Sequence, residues 1–298
     1  MMLQFKLILV IAVLFSAHCS NAVGSFRGAV ANHAVETESV DANLQLYKAL
    51  MQAAATQEAH VLVFPEFGLA PGGTKNRTAL RSTAEKIGTK GGVPCADFTA
   101  EQQLQSPIVF QMSCSAKDTG VAALVNMIDF VECDPVEEKE DGCPDDGFYL
   151  YNTDIGLAGG TGEFQAKYHK SHEYFGLKPQ FNVPPVPDYE TWTIGEVEFG
   201  LFTCYDIFFG DPPKQYIANG VKHFLYPVQM GEIGDITMIW HWSKTQNATM
   251  FVANTALVGS KDASSVYVAG AKQQGMRVPI SGADASSKDS VFVADVPF

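Results

Sequence analysis

Short, almost wholly apolar runs that stop at turn residues set the limits on how this chain can fold. Residues 60–64 (HVLVF) end at Pro65, which cannot donate to a sheet ladder, so they read as a buried strand reaching a turn. Residues 120–130 (GVAALVNMIDF) and 223–228 (HFLYPV) read the same way. Residues 25–31 (SFRGAVA) form a first strand, and 196–203 (EVEFGLFT) alternate before reaching Cys204. Strands of this kind need cover on both faces. Residues 41–57 can supply it, with Leu44, Leu46, Tyr47, Leu50, Met51 and Ala54 close to helical spacing.

The rest of the chain continues the alternation. Residues 109–115 resemble a helix end. Residues 147–157 and 163–169 predict a hairpin around Ala158-Gly159-Gly160-Thr161-Gly162. Residues 207–219 are a helix candidate that Pro212 and Pro213 restrict to starting near them. Residues 238–254 read as a helix running into a strand, and SVYVAG and SVFVADV near the end are strand-like. Helices interleaved with short buried strands indicate an α/β domain with helices covering the sheets. There is no internal repeat and no long linker, so one domain is expected.

The first 22 residues stand apart. One positive charge, Lys6, precedes an unbroken apolar run, LILVIAVLF at 7–15, and a small polar stretch with cleavage expected after Ser20 or Ala22. That order predicts a secretory signal peptide at 1–22, followed by a domain at 23–298. No stretch reaches the roughly 18 apolar residues of a membrane span. The expected location is extracellular. The sequons Asn76-Arg77-Thr78 and Asn247-Ala248-Thr249 fit it and mark Asn76 and Asn247 as glycosylation candidates. With 33 acidic against 20 basic residues, the net charge of −13 argues against nucleic acid and anionic membrane surfaces as partners.

Cysteines tend to pair in an oxidising compartment. Cys19 falls in the leader, which leaves Cys95, Cys114, Cys133, Cys143 and Cys204. Five cannot all pair within one chain, and an odd thiol in a secreted protein is a candidate reactive group. Four cysteines allow three connectivities. Cys133 and Cys143 bracket the acidic loop CDPVEEKEDGC, a natural site for a local bridge. Cys95 and Cys114 would then form the second and Cys204, in its strongly apolar segment, would stay free, with the other connectivities left open.

Three residues are candidates for chemistry. Cys204 sits where the strand GLFT stops; its position fits a nucleophile and fits a buried structural thiol equally well. Glu66, in FPEFG, directly follows a buried strand, where partial desolvation favours proton transfer. The alternative is a solvated turn residue. Lys170, in AKYHK, shares a strand face with Tyr168 and can donate to an oxyanion; alone, it reads as a surface lysine. No G-x-S-x-G elbow and no C-x-x-C are present, which removes serine-hydrolase and disulfide-oxidoreductase readings.

FPEFG, KYHK and FTCYDIFF, in that order, resemble the nitrilase (carbon–nitrogen hydrolase) superfamily. CYDIFF, YHK, QFNVP, DDGFYLYNTD and the paired cysteines narrow the resemblance to the vanin and biotinidase branch, over nearly everything from Gly24 onward. The resemblance implies a four-layer α-β-β-α sandwich and a Glu66–Lys170–Cys204 triad, with the Tyr205 backbone N–H assisting at the oxyanion. It implies hydrolysis of a linear secondary amide through a thioester, without metal or organic cofactor. Pantetheine is the expected small-molecule substrate, with a biotinyl amide or a catalytically inactive fold as alternatives. Dimerisation stays open.

The sequence departs from the branch in two places. Relatives carry a glutamate between the lysine and FNVP. Here residues 171–180 (SHEYFGLKPQ) are about one residue longer, Leu177 or Lys178 takes the expected place, and Glu173 is the nearest acid. Relatives also carry a further β-rich domain, which this 298-residue sequence does not include. Weaker candidates are Glu173, for substrate binding, Trp240 and Trp242, for an apolar acyl site or the core, and Asp206, as an anchor of the turn after Cys204. His169 and His172, three apart, lack the further ligands of a metal site.

Overall fold

The computed structural model describes residues 24–33, 35, 39–69, 76–138, 142–230, 233–255, 264–280 and 289–298. The expected signal segment and Cys19 lie outside them. The strands are β1 (Ser25–Asn32), β2 (Val61–Val63), β3 (Ala122–Glu132), β4 (Phe148–Leu157), β5 (Phe164–His169), β6 (Thr191–Ile194), β7 (Val197–Leu201), β8 (His223–Val228), β9 (Thr249–Asn254), β10 (Ser265–Val268), β11 (Ala271–Lys272), β12 (Met276–Pro279) and β13 (Ser290–Pro297). The helices are α1 (Val40–Ala55), α2 (Arg77–Arg81), α3 (Pro94–Asp97), α4 (Ala100–Gln105), α5 (Pro107–Thr119), α6 (Pro213–Ala218) and α7 (Ile233–Gln246).

Two sheets result, ordered β12-β13-β1-β2-β3-β4-β5 and β11-β10-β9-β8-β7-β6. Each has a parallel centre, β1-β2-β3 in the first and β7-β8-β9 in the second. Parallel neighbours need crossovers, which helices provide. α1 joins β1 to β2, and α5 closes the link from β2 to β3. α6 joins β7 to β8, and α7 joins β8 to β9.

Strand alternation sorts the layers. In the first sheet Phe26, Val30, Val61, Val63, Ala122 and Leu124 face the second sheet, in one core with Phe199, Leu201 and Phe251. The intervening Ala29, Ala31, Leu62, Phe64, Ala123 and Val125 face α1 and α5, where Leu44, Tyr47, Ile108 and Met112 complete a second core. Tyr47 stacks on Phe64 with ring centroids 3.9 Å apart. At Gly28 the sheets come so close that a Cβ would lie 2.1 Å from the Phe251 ring. The far side of the second sheet is covered by Ile239 and Trp242 of α7 and Tyr216 of α6. The expected four-layer sandwich is therefore the observed one.

The helix candidate within 207–219 is α6, which starts at Pro213, where a missing N–H costs nothing, as the two prolines require; Cys204–Phe208 before it form a 3₁₀ turn. One expectation changes. The helix end expected at 109–115 is the interior of α5.

α5 also shows an unusual cap. Its preceding Ser106 makes no side-chain cap bond. Glu85, held on β3 by backbone bonds to Ile128 and Phe130, instead accepts from Ile108 N–H at 2.7 Å and Val109 N–H at 3.2 Å. Burial pushes this carboxyl up to about 7, against the pull of those two N–H groups. The folded state thus keeps the proton up to about pH 7, whereas the ordinary value is 4.5. Between the two the unfolded chain binds fewer protons, so stability falls as pH rises. We expect Glu85→Gln to flatten the loss of unfolding free energy between those pH values, by up to about 3 kcal/mol, in urea titrations.

Candidate active site

Glu66 follows β2 after the turn residue Pro65, at the carboxyl end of a central parallel strand, where α/β sheets commonly place their sites. Its Oε1 accepts from Lys170 Nζ at 2.6 Å and Asn152 Nδ2 at 2.8 Å. Its Oε2 accepts from the Gln229 N–H, just past β8, at 3.1 Å. The next residue, Phe67, has a positive φ of 54°, and its N–H is held by Asn126 Oδ1 at 2.9 Å.

Lys170 is the first residue after β5. Its N–H donates to the Asn152 carbonyl at 2.8 Å, which sets the side chain beside Glu66. The ammonium is buried. Burial opposes its charge, but Glu66 and Glu173 outweigh burial and hold its pKa well above the usual lysine value.

Cys204 comes from the other sheet, past the end of β7. It opens the 3₁₀ turn with φ +43°, a region costly for any residue with a side chain. Two devices hold it there. Tyr226 OH donates to the Cys204 carbonyl at 2.6 Å. Asp206 accepts from Thr203 N–H at 3.0 Å, Tyr168 OH at 2.8 Å, His172 N–H at 2.8 Å and, at 3.1 Å, His172 Nδ1. Asp206 is thus the expected anchor of the turn, and it ties that turn to the segment after Lys170. The thiol lies 4.0 Å from the Gln229 carbonyl. Burial pushes its pKa well up, the Glu66 carboxylate adds to that, and Lys170 pulls back. The resting sulfur is therefore a neutral thiol facing a carboxylate–ammonium pair. Tyr205 N–H sits in the first turn after it, among the donors that a helix start leaves without an intrahelical acceptor.

Glu173, the nearest acid in the sequence, lies beside Lys170. Glu173 is buried, with Oε2 3.6 Å from Lys170 Nζ, and neither of its oxygens receives a hydrogen bond. Burial pushes it up to about 7 against the pull of Lys170. It lines a cavity of about 400 Å³ with Ser171, His172, Lys178, Phe181, Val183 and Phe209.

The other candidates sort differently. Trp242 is core, packed on Phe202 and Phe224, while Trp240 is surface, with Lys244 Nζ 5.0 Å from its ring centroid. His169 lies between Asp188, 2.8 Å from Nδ1, and Asp129, 3.2 Å from Nε2. Disulfides join Cys95 to Cys114 and Cys133 to Cys143, and among the described residues Cys204 is the free cysteine. Asn76 and Asn247 are both exposed. Sequence reasoning gave no role to Asn126, Asn152, Asp154, Tyr226 or Gln229. The one available signal was two polar residues, Asn152 and Asp154, on the same face of a strand that is otherwise largely buried.

Residues 27–288 match the carbon-nitrogen hydrolase family. The chain belongs to that family. Among curated relatives, a human pantetheine hydrolase is 31% identical over 252 residues, 78% of this chain and 47% of the relative. A biotinidase from Takifugu rubripes is 30% identical over 71% of this chain and 42% of the relative. This carbon-nitrogen hydrolase therefore groups with the vanin and biotinidase branch, and it spans less than half the length of those relatives. A solved amidase of the nitrilase superfamily from Nesterenkonia has the same fold, with a TM-score of 0.62 at 19% identity, over 91% of this chain and 90% of that one.

Tyr226 supplies the test of the strained nucleophile turn. Tyr226→Phe should lower stability by about 1–3 kcal/mol in urea unfolding, because it strips a buried carbonyl of its donor. An unchanged midpoint would mean that the turn holds itself without this clamp.

Proposed function

We propose that this chain is a secreted amidase that cleaves a linear secondary amide through Cys204, with pantetheine as the preferred substrate. The observation that carries the reading is the buried thiol of Cys204 facing the 2.6 Å ion pair of Glu66 and Lys170. A neutral thiol needs a base at the moment of attack, and Glu66 is the carboxylate in place.

Glu66 takes the thiol proton as Sγ bonds to the amide carbonyl carbon, and the C=O π pair moves to oxygen. The Lys170 ammonium and Tyr205 N–H stabilise that oxyanion. As the intermediate collapses, the C–N bond breaks and Glu66 hands its proton to the departing nitrogen. A thioester and a free amine result. Glu66 then deprotonates a water, which attacks the thioester, and the thiol is restored with release of the acid. The cycle as written needs no metal or organic cofactor.

Pantetheine and biotinyl amides both carry a linear secondary amide, and relatives named for each are similar to this chain. The longer alignment with the pantetheine hydrolase favours the first. Secretion is supported by the leader-like residues 1–22 and by two disulfides. Among the described residues no helix is long and apolar enough to cross a membrane. The domain is taken as 23–298, with Asn76 and Asn247 as glycan acceptors.

The purified protein should release cysteamine from pantetheine, and Cys204→Ala should abolish release. Hydroxylamine should trap the acyl group during turnover. Release of biotin from biotinyl-lysine instead would reassign the acyl specificity. A folded protein that turns over neither amide, with an unreactive Cys204, would make it an inactive member of the family.

A further inference from the structure

Asp154 on β4 is fully buried. The charges acting on it are the Glu66 and Asp206 carboxylates, and the groups that favour its ionised form are the neutral Thr203 and Asn126. A buried acid among like charges is costly, so its hydrogen bonds show what it does.

One oxygen serves the base. Asp154 Oδ1 accepts from Asn126 Nδ2 at 2.8 Å, and the same amide donates to Asn152 Oδ1 at 2.8 Å. Asn126 Oδ1 is already taken by Phe67 N–H. Both hydrogens and the oxygen of that amide are therefore assigned, and it cannot be turned over without losing bonds. Asn152, its oxygen used, must present Nδ2 to Glu66 Oε1, which it does at 2.8 Å. The other oxygen serves the nucleophile. Asp154 Oδ2 lies 2.5 Å from Thr203 Oγ1, and Thr203 precedes Cys204. The two arms end on different sheets, since β4 belongs to the first and Thr203 follows β7 of the second.

We propose that Asp154 is a positioning residue that fixes Glu66 and Cys204 relative to each other, through Asn126 and Asn152 on one side and Thr203 on the other. Burial pushes this carboxyl up to about 7, against the hydrogen bonds that Thr203 and Asn126 donate to it. An asparagine keeps both arms, its oxygen accepting from Asn126 and its amide facing a Thr203 hydroxyl that rotates to accept. A leucine breaks both.

This rests on Glu66 being the base for Cys204, but the test needs no substrate. The rate of Cys204 alkylation by iodoacetamide is followed against pH. Near neutral pH the thiol depends on Glu66 for deprotonation; at alkaline pH hydroxide replaces it. Asp154→Leu should slow alkylation by about tenfold or more at neutral pH and leave the alkaline rate near native, whereas Asp154→Asn should stay close to wild type. Thr203→Val should repeat the Asp154→Leu profile, Thr203→Ser should restore it, and the double variant should be no slower than either single one. The threonine pair decides the matter if Asp154→Leu does not fold. A wild-type profile in Thr203→Val, an equal slowing at all pH values, or multiplied losses in the double variant would overturn the proposal. Normal wild-type alkylation without turnover of either amide would remove the substrate reading and leave Asp154 in place. A Cys204 that does not react at any pH would overturn both.

Discussion

The Glu66–Lys170 ion pair is the interaction on which the rest of the site depends. Its two charged groups lie 2.6 Å apart with side-chain exposures of 2% and 1%. Taking each ion out of water costs several kcal/mol, and only good geometry with further hydrogen bonds returns it. The fold supplies those bonds from Asn152 and the Gln229 backbone. Leaving either charge without the other would be expensive, so the chain is committed to bringing β2 and β5 into one sheet with fixed offsets. The same pair sets the chemistry of the sulfur. A carboxylate beside a buried thiol disfavours the thiolate, and the ammonium offsets this only in part.

The proposed nucleophile stands on the other sheet. Glu66 and Lys170 extend from β2 and β5, and Cys204 from β7. The spacing of base and sulfur is therefore a property of how two sheets pack, and of the Gly28–Phe251 approach that lets them pack closely. Several hydrogen bonds cross this junction near the site: Thr203 to Asp154, Tyr168 and His172 to Asp206, and the Gln229 N–H to Glu66. Catalytic geometry and core packing are consequently hard to separate by mutation, which is why substitutions that keep shape and change one hydrogen bond are the informative ones.

Much of this was legible in the sequence wherever the signal was local. Strands such as HVLVF and HFLYPV announce themselves through composition and a following turn residue. The Cys133–Cys143 bridge follows from the loop it closes. Glu66, Lys170 and Cys204 were singled out together through a family resemblance, since none was persuasive alone, and the fold brings the three side chains together. What escaped was non-local. Gln229 contributes a backbone N–H that no residue type encodes, and Asn126, Asn152 and Asp154 matter only because β3 and β4 pair in one register. Glu173 was legible only as the nearest acid, and the segment after Lys170 brings its carboxylate to 3.6 Å from that lysine. Trp242 was open between acyl site and core, and its packing on Phe202 and Phe224 makes it core.

The placement of the two disulfides has a consequence for how the chain matures. One links α3 to α5 across 19 residues and the other closes a loop of 10 between β3 and β4. Both form within the portion of the chain that builds the first sheet, and both partners of each are made before the second sheet emerges from synthesis. Cys204 thus arrives after its four potential partners can already be engaged with one another. An oxidising compartment can then staple the domain and still leave the Cys204 sulfur a thiol.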